Sequence, residues 1–228
     1  MRDHMGYADS HLHITDPMFE GVVSGASLLF ACTASPKEWG DLSAFNGDGV
    51  VKFYGIHPWY PEDALERLEA ILQNDERAHV GEIGLDSKRG PPIDEQIELF
   101  EAQLELAEKY RRVANIHMIG CESEMLRILR RHRTECILHS FSGPKSYIKP
   151  FAECGCYFSI SPRIHAKSEE RIKALIEAIP PGRLLVETDA PYNRIGMDEH
   201  IRRLSKIMSI DPMELERITF VNAWDAIP

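Results

Sequence analysis

Leu28-Leu29-Phe30-Ala31-Cys32 is an apolar run with no polar break, and a strand of that kind is dry on both faces. A strand with one wet face would alternate apolar and polar side chains instead. The expectation is therefore a parallel sheet covered by helices. This run extends over Ser27–Thr33, and outward from it similar short runs recur at Tyr7–His11, Val50–Ile56, His79–Ile83, Val113–His117, Cys136–His139, Cys156–Ile160 and Leu184–Glu187. Amphipathic stretches lie between them. Ile97, Phe100, Leu104 and Ala107 form a helical stripe behind Asp94 as a candidate cap, and Leu65, Leu68 and Leu72 form another after Pro61. Asp211-Pro212 with Glu214 reads as a capping box opening the last helix. Eight strands alternating with helices, with a shorter crossover after the second strand, predict one (β/α)8 TIM barrel, α/β in class. It would span residues 7–228 as a single domain behind a loosely attached stretch, residues 1–6.

Composition narrows the function. The chain of 228 residues is long enough for one substantial core, and a formal charge of −10 excludes a general basic surface for duplex nucleic acid or anionic lipid. Its five cysteines are scattered, odd in number and without a C-x-x-C pair, the usage of a reduced, cytoplasmic protein. No apolar run approaches the roughly 18 residues of a membrane span, and the first residues lack a signal peptide's apolar middle. No membrane partner and no obligate protein partner are expected.

Barrel active sites lie at the carboxyl ends of the strands. His11 and His13 are two apart on one strand, so both imidazoles face the same way. Later strands end in Glu82, His117, His139 and Asp189, so four imidazoles and two carboxylates converge on one mouth. Burying two carboxylates without cations costs several kcal/mol each, and one or two divalent metal ions would remove that cost. Glu82 has an oxygen for each of two ions and is the natural bridge. His11, His13 and Asp189 then serve one ion, His117 and His139 the other. Two such ions can lower the pKa of a shared water toward neutrality, with Asp189 placed to orient it and accept its proton.

Several longer motifs make the chain similar to a known family. Asp9-Ser10-His11-Leu12-His13, Gly55-Ile56-His57-Pro58, Val80-Gly81-Glu82-Ile83-Gly84-Leu85-Asp86, Ile116-His117, His139-Ser140-Phe141-Ser142-Gly143 and Glu187-Thr188-Asp189-Ala190-Pro191-Tyr192 together resemble the TatD family of metal-dependent deoxyribonucleases, within the amidohydrolase-like superfamily. The resemblance implies the same ligand division among His11, His13, Glu82, His117, His139 and Asp189, and a substrate-phosphate contact at His57. It also implies hydrolysis of DNA phosphodiesters from 3′ ends; a barrel mouth, which cannot easily admit the middle of a duplex, points to single strands or free ends. Trp59 stands where the family usually has a polar residue, often His. Met118-Ile119-Gly120 replaces the family's usual Arg-Asp-Ala, and so removes an arginine. Arg163 and Arg194 are the expected phosphate-binding pair; Lys88, Arg89 and Lys145 read as solvated charges. Four imidazoles favour zinc, manganese or iron on ligand softness, and the resemblance implies magnesium, so the expected ions are magnesium, manganese or zinc. Two further readings stay open: a metal-dependent amidohydrolase or lactonase on the same barrel, and a non-catalytic metal-binding protein.

Overall fold

A computed structural model describes residues 6–20 and 27–227. Residues 1–5, which make up most of the expected loose N-terminal stretch, lie outside the described residues. The strands are β1 (Ala8–Leu12), β2 (Leu28–Cys32), β3 (Val50–Tyr54), β4 (His79–Asp86), β5 (Ala114–Ile119), β6 (Cys136–Leu138), β7 (Cys156–Ile160) and β8 (Leu184–Val186). They form one sheet in sequential order with every neighbouring pair parallel. The ring closes through the chain just beyond β8: Asp189 N–H donates to His11 O at 3.0 Å and His13 N–H donates to Ala190 O at 2.8 Å. The expected (β/α)8 barrel is the observed fold, and its closing bonds fall among the candidate ligands.

The helices are α1 (Trp39–Ala44), α2 (Leu65–Asn74), α3 (Ile93–Tyr110), α4 (Glu122–Leu129), α5 (Ile148–Glu153), α6 (Glu169–Ile176), α7 (Met197–Met208) and α8 (Pro212–Ala226). The short crossover after β2 is α1. Two capping expectations need correction. Helix α3 begins at Ile93 behind Pro92, with Asp94 inside the first turn favouring the helix dipole instead of capping it. Asp211 does cap α8, accepting from Met213 N–H, but Glu214 turns away to pair with Arg217, so the capping box does not close.

Strand parity divides the core. Phe30, Val113, Ile137, Tyr157 and Leu185 cluster in the barrel interior, where Ala223 and Ala226 of α8 also pack. Residues of opposite parity, such as Ala31, Ile116, Leu138, Phe158 and Val186, pack in the cluster with the outer helices. Two positions further along the inward parity come Asn115, His139, Ser159 and Glu187, and then His117, so the apolar floor gives way upward to a polar mouth.

Helix α3 fastens two strand ends beneath that mouth. Gln103 accepts from Ile56 N–H at 2.8 Å and donates to Ile56 O at 3.1 Å. One face along, Gln96 does the same for Asp86, at 2.8 and 3.0 Å. Both glutamines are buried, so each satisfies two backbone groups that would otherwise be stranded past the ladder. Gly55 makes the close approach of β3 to β4 possible, since a Cβ there would stand 2.5 Å from Glu82 O.

Candidate metal centre

Glu82 is the hub of the mouth. Its Oε2 lies 3.5 Å from His11 Nε2 and 3.4 Å from His13 Nε2. Its Oε1 lies 2.9 Å from His139 Nε2, 3.0 Å from His117 Nδ1 and 3.2 Å from His57 Nε2. One buried carboxylate thus faces five imidazoles, split between its two oxygens. Burial pushes its pKa up, but the rings of His57, His139 and His11 outweigh that and hold it well below the ordinary carboxylate range.

Three of the inward-turned rings, those of His11, His139 and His117, have their other nitrogen fixed from behind. Asn115 Nδ2 donates to Ser10 O at 2.9 Å, which turns Oδ1 toward His11 Nδ1 at 2.8 Å. His11 therefore carries its proton on Nδ1 and presents a lone pair at Nε2. His139 Nδ1 sits 3.2 Å from Glu187 Oε1, which also accepts from Ser140 N–H at 2.8 Å, and Nε2 faces inward. His117 is reversed: Nε2 donates to Asp86 Oδ2 at 3.1 Å and Nδ1 faces Glu82. Such carboxylate or amide partners behind histidines are the usual means of orienting metal ligands.

His57 differs. Trp59 N–H donates to its Nδ1 at 3.1 Å, so the neutral ring holds its proton on Nε2, the atom facing Glu82. That makes it a hydrogen-bond donor at the mouth, unlike the three rings above, although it stands close enough to Glu82 and His117 for their donor atoms to form one potential ligand group. Burial pulls its pKa down, favouring the neutral ring.

The donor set fits divalent cations on two grounds. Glu82, Asp86, Glu187 and Asp189 are all buried around the mouth, and the arginine reaching this group, Arg163, has a side chain 58% exposed. So many buried carboxylates need positive charge among them. In addition, His13 Nδ1 is buried without a partner, while His11 Nε2 and His13 Nε2 face each other at 3.1 Å. Two potential groups flank Glu82: His11, His13 and Asp189 on one side, and His57, Glu82 and His117 on the other; His139 joins His11 and Glu82 in a third.

Asp189 follows β8 with a left-handed backbone, φ 53°, as does Ser140 after β6, φ 48°. Non-glycine residues hold such angles where the surroundings over-determine them. Burial pushes the Asp189 pKa up, partly offset by His139 and His11. Arg163 Nη2 lies 3.0 Å from its Oδ2. Arg163 also lines the cavity over the centre, about 570 Å³ in volume, together with Trp59, Tyr60, Arg89, Met118, Gly120 and Tyr192. Arg194 is exposed and outside that lining.

Sequence reading passes over Asn115, Asp86 and Glu187 as orienting partners. Asn115 and Glu187 share the inward parity of their strands, the one signal that marks a buried polar residue there.

The barrel and its carboxylate-centred histidine cluster define a metal-dependent hydrolase. The match of residues 8–226 to the model of the TatD related DNases makes the chain a member of that family. It is 25% identical over 198 residues to the uncharacterized metal-dependent hydrolase YcfH of Escherichia coli K12, covering 83% of this chain and 75% of that protein. It is 33% identical over 150 residues to the 3'-5' ssDNA/RNA exonuclease TatD of Edwardsiella piscicida, across 60% of this chain and 56% of the relative. The crystal structure of YjjV, a TatD homologue from Escherichia coli K12, superposes with a TM-score of 0.83 over 97% of both chains at 21% identity, a likeness of fold.

Proposed function

We propose that this hydrolase cleaves phosphodiester bonds of DNA, shortening single strands or free ends from the 3′ side with two divalent cations. The observation that carries the reading is the split of five imidazoles between the two oxygens of Glu82. In this reading Glu82 would serve both ions, His11, His13 and Asp189 would hold one, and His117 and His139 would hold the other. When bound, the pair of ions supplies Lewis acidity to the phosphoryl oxygen and lowers the pKa of water. Imidazole-rich coordination favours manganese or zinc, with magnesium the third candidate.

The chain's own groups supply the remaining chemistry. Asp189, made more basic by burial, orients the attacking water and takes its proton. Arg163 steadies that carboxylate from 3.0 Å. The Nε2–H of His57 donates to a non-bridging phosphate oxygen, consistent with the Trp59 N–H on its other nitrogen. Arg194, exposed in the segment after β8, adds positive potential for an incoming strand. The recessed mouth favours ends over the middle of a duplex, in line with the exonuclease named among the relatives. Five free thiols support a cytoplasmic setting, and no described helix is long and apolar enough to cross a membrane.

The test is hydrolysis of an end-labelled single-stranded oligonucleotide with added Mn²⁺ or Mg²⁺. Stepwise loss from the 3′ end is expected; preferential nicking of closed circular duplex would overturn the end-directed reading. One feature favours a second reading: the cavity wall of Met118, Ile119 and Gly120 is free of cations. Hydrolysis of lactones or amides, with no phosphodiester turnover, would establish a carbon-centred hydrolase instead.

A further inference from the structure

We propose that Arg89, seated on the indole of Trp59, binds the phosphate next to the scissile one, where a single strand leaves the metal cavity. This rests on the phosphodiesterase reading above and extends it to a strand-binding subsite.

Apart from imidazoles, the cations lining the cavity are Arg89 and Arg163. Arg163 is engaged with Asp189. Arg89 forms no ion pair among the described residues; its guanidinium carbon lies 3.9 Å from the centre of the Trp59 ring, stacked over it. One carboxylate anchors the pair. Asp86 Oδ2 accepts from Trp59 Nε1–H at 2.8 Å and Oδ1 accepts from Arg89 N–H at 3.1 Å. The indole also packs edge to face on His57 and His117, at centroid distances of 4.7 and 5.4 Å.

Its seat over the indole restricts the guanidinium and leaves it without an ion-pair partner among the described residues, a presentation that suits a phosphate contact at reduced entropic cost. Location agrees. A second groove, about 780 Å³, runs past Lys88 and Tyr147 and shares Arg89, Gly120 and Glu122 with the metal cavity. A strand passing from one to the other crosses Arg89. Beside it, the paired strand end Met118-Ile119-Gly120 contributes no cation to the cavity lining.

The experiment compares wild type, Arg89→Ala, Trp59→Leu and the double variant on two substrates. Bis(p-nitrophenyl) phosphate has one phosphate; a thymidine tetranucleotide has neighbours to the scissile one. Arg89→Ala should raise KM for the tetranucleotide about tenfold, the order of one charge-assisted contact, and leave both constants for the single-phosphate ester near wild type. The same variant should flatten the salt dependence of KM by about 0.7 in log–log slope. Trp59→Leu should shift KM in the same direction, and the double variant should be no worse than Arg89→Ala alone.

Equal effects of Arg89→Ala on both substrates, or none on either, overturn the subsite. Because that variant leaves the core untouched, unchanged turnover of the ester verifies its fold. A wild-type protein that cleaves the ester but no oligonucleotide overturns the subsite together with the choice of nucleic acid. One that cleaves neither refutes the phosphodiesterase reading itself, and the subsite with it.

Discussion

Replacing Asn115 by leucine removes the group that sets the tautomer of His11. Both residues are fully buried, and the amide makes two hydrogen bonds, to Ser10 O at 2.9 Å and His11 Nδ1 at 2.8 Å. Leucine is of similar size, so the loss is polar: one carbonyl and one ring N–H are stranded, at ~1–3 kcal/mol each. The metal-free protein should therefore lose roughly 2–6 kcal/mol of stability. Without its acceptor the ring moves its proton to Nε2, toward Glu82 Oε2 at 3.5 Å. An incoming ion must displace that proton. Affinity on the His11 side should fall about 10- to 100-fold, the usual effect of losing a partner behind a ligand. Asn115→Asp separates the two effects: it keeps an acceptor for His11 and so the affinity, but turns a carboxylate oxygen on Ser10 O and loses stability. Calorimetric titration of Mn²⁺ into metal-free protein reads affinity, and urea unfolding in chelator reads stability. Wild-type affinity in a folded Asn115→Leu variant would refute the tautomer argument.

Two further expectations concern the frame around the site. Burial pushes the pKa values of His79 and His200 down to about 4, with Arg112 and His165 respectively adding to the effect. Between about pH 6.5 and 4 the unfolded chain takes up protons that the folded chain refuses, so stability falls as pH falls, by up to ~1.4 kcal/mol per pH unit for each histidine. His79→Gln should remove one proton's worth of that slope in urea unfolding at pH 7, 6 and 5; an unchanged slope would contradict the burial argument. Gly55→Ala should cost ~1–3 kcal/mol by overpacking and weaken metal uptake, because its Cβ falls 2.5 Å from Glu82 O. Wild-type melting and metal content in that variant would show that the close approach of β3 and β4 is dispensable.

The barrel was legible because each strand is a short apolar run, and Leu28–Cys32 and Cys156–Ile160 read without ambiguity. Strand ends were harder. β4 continues to Asp86, three residues beyond the apolar run, because Gly84, Leu85 and Asp86 pair with His117, Met118 and Ile119 of β5, and pairing across a ladder leaves no mark in one strand's composition. The potential ligands were legible because barrel geometry turns strand ends into a mouth. Their orienting partners were not: Asn115 bonds to Ser10, 105 residues away, and Glu187 to His139, 48 residues away. Trp59 read as a departure from the family's usual polar residue and Arg89 as a solvated charge. Only the shared anchor on Asp86 brings them together over the cavity.

The proposed function turns on whether Glu82 would hold two divalent ions between its oxygens. Metal content after saturation with Mn²⁺ and removal of the excess, measured for wild type and Glu82→Gln, tests it most directly. The variant keeps the size and removes the bridging charge, so the account predicts two ions per chain in wild type and at most one in Glu82→Gln. Two tightly held ions in the variant, or a wild type that saturates at one, would contradict it.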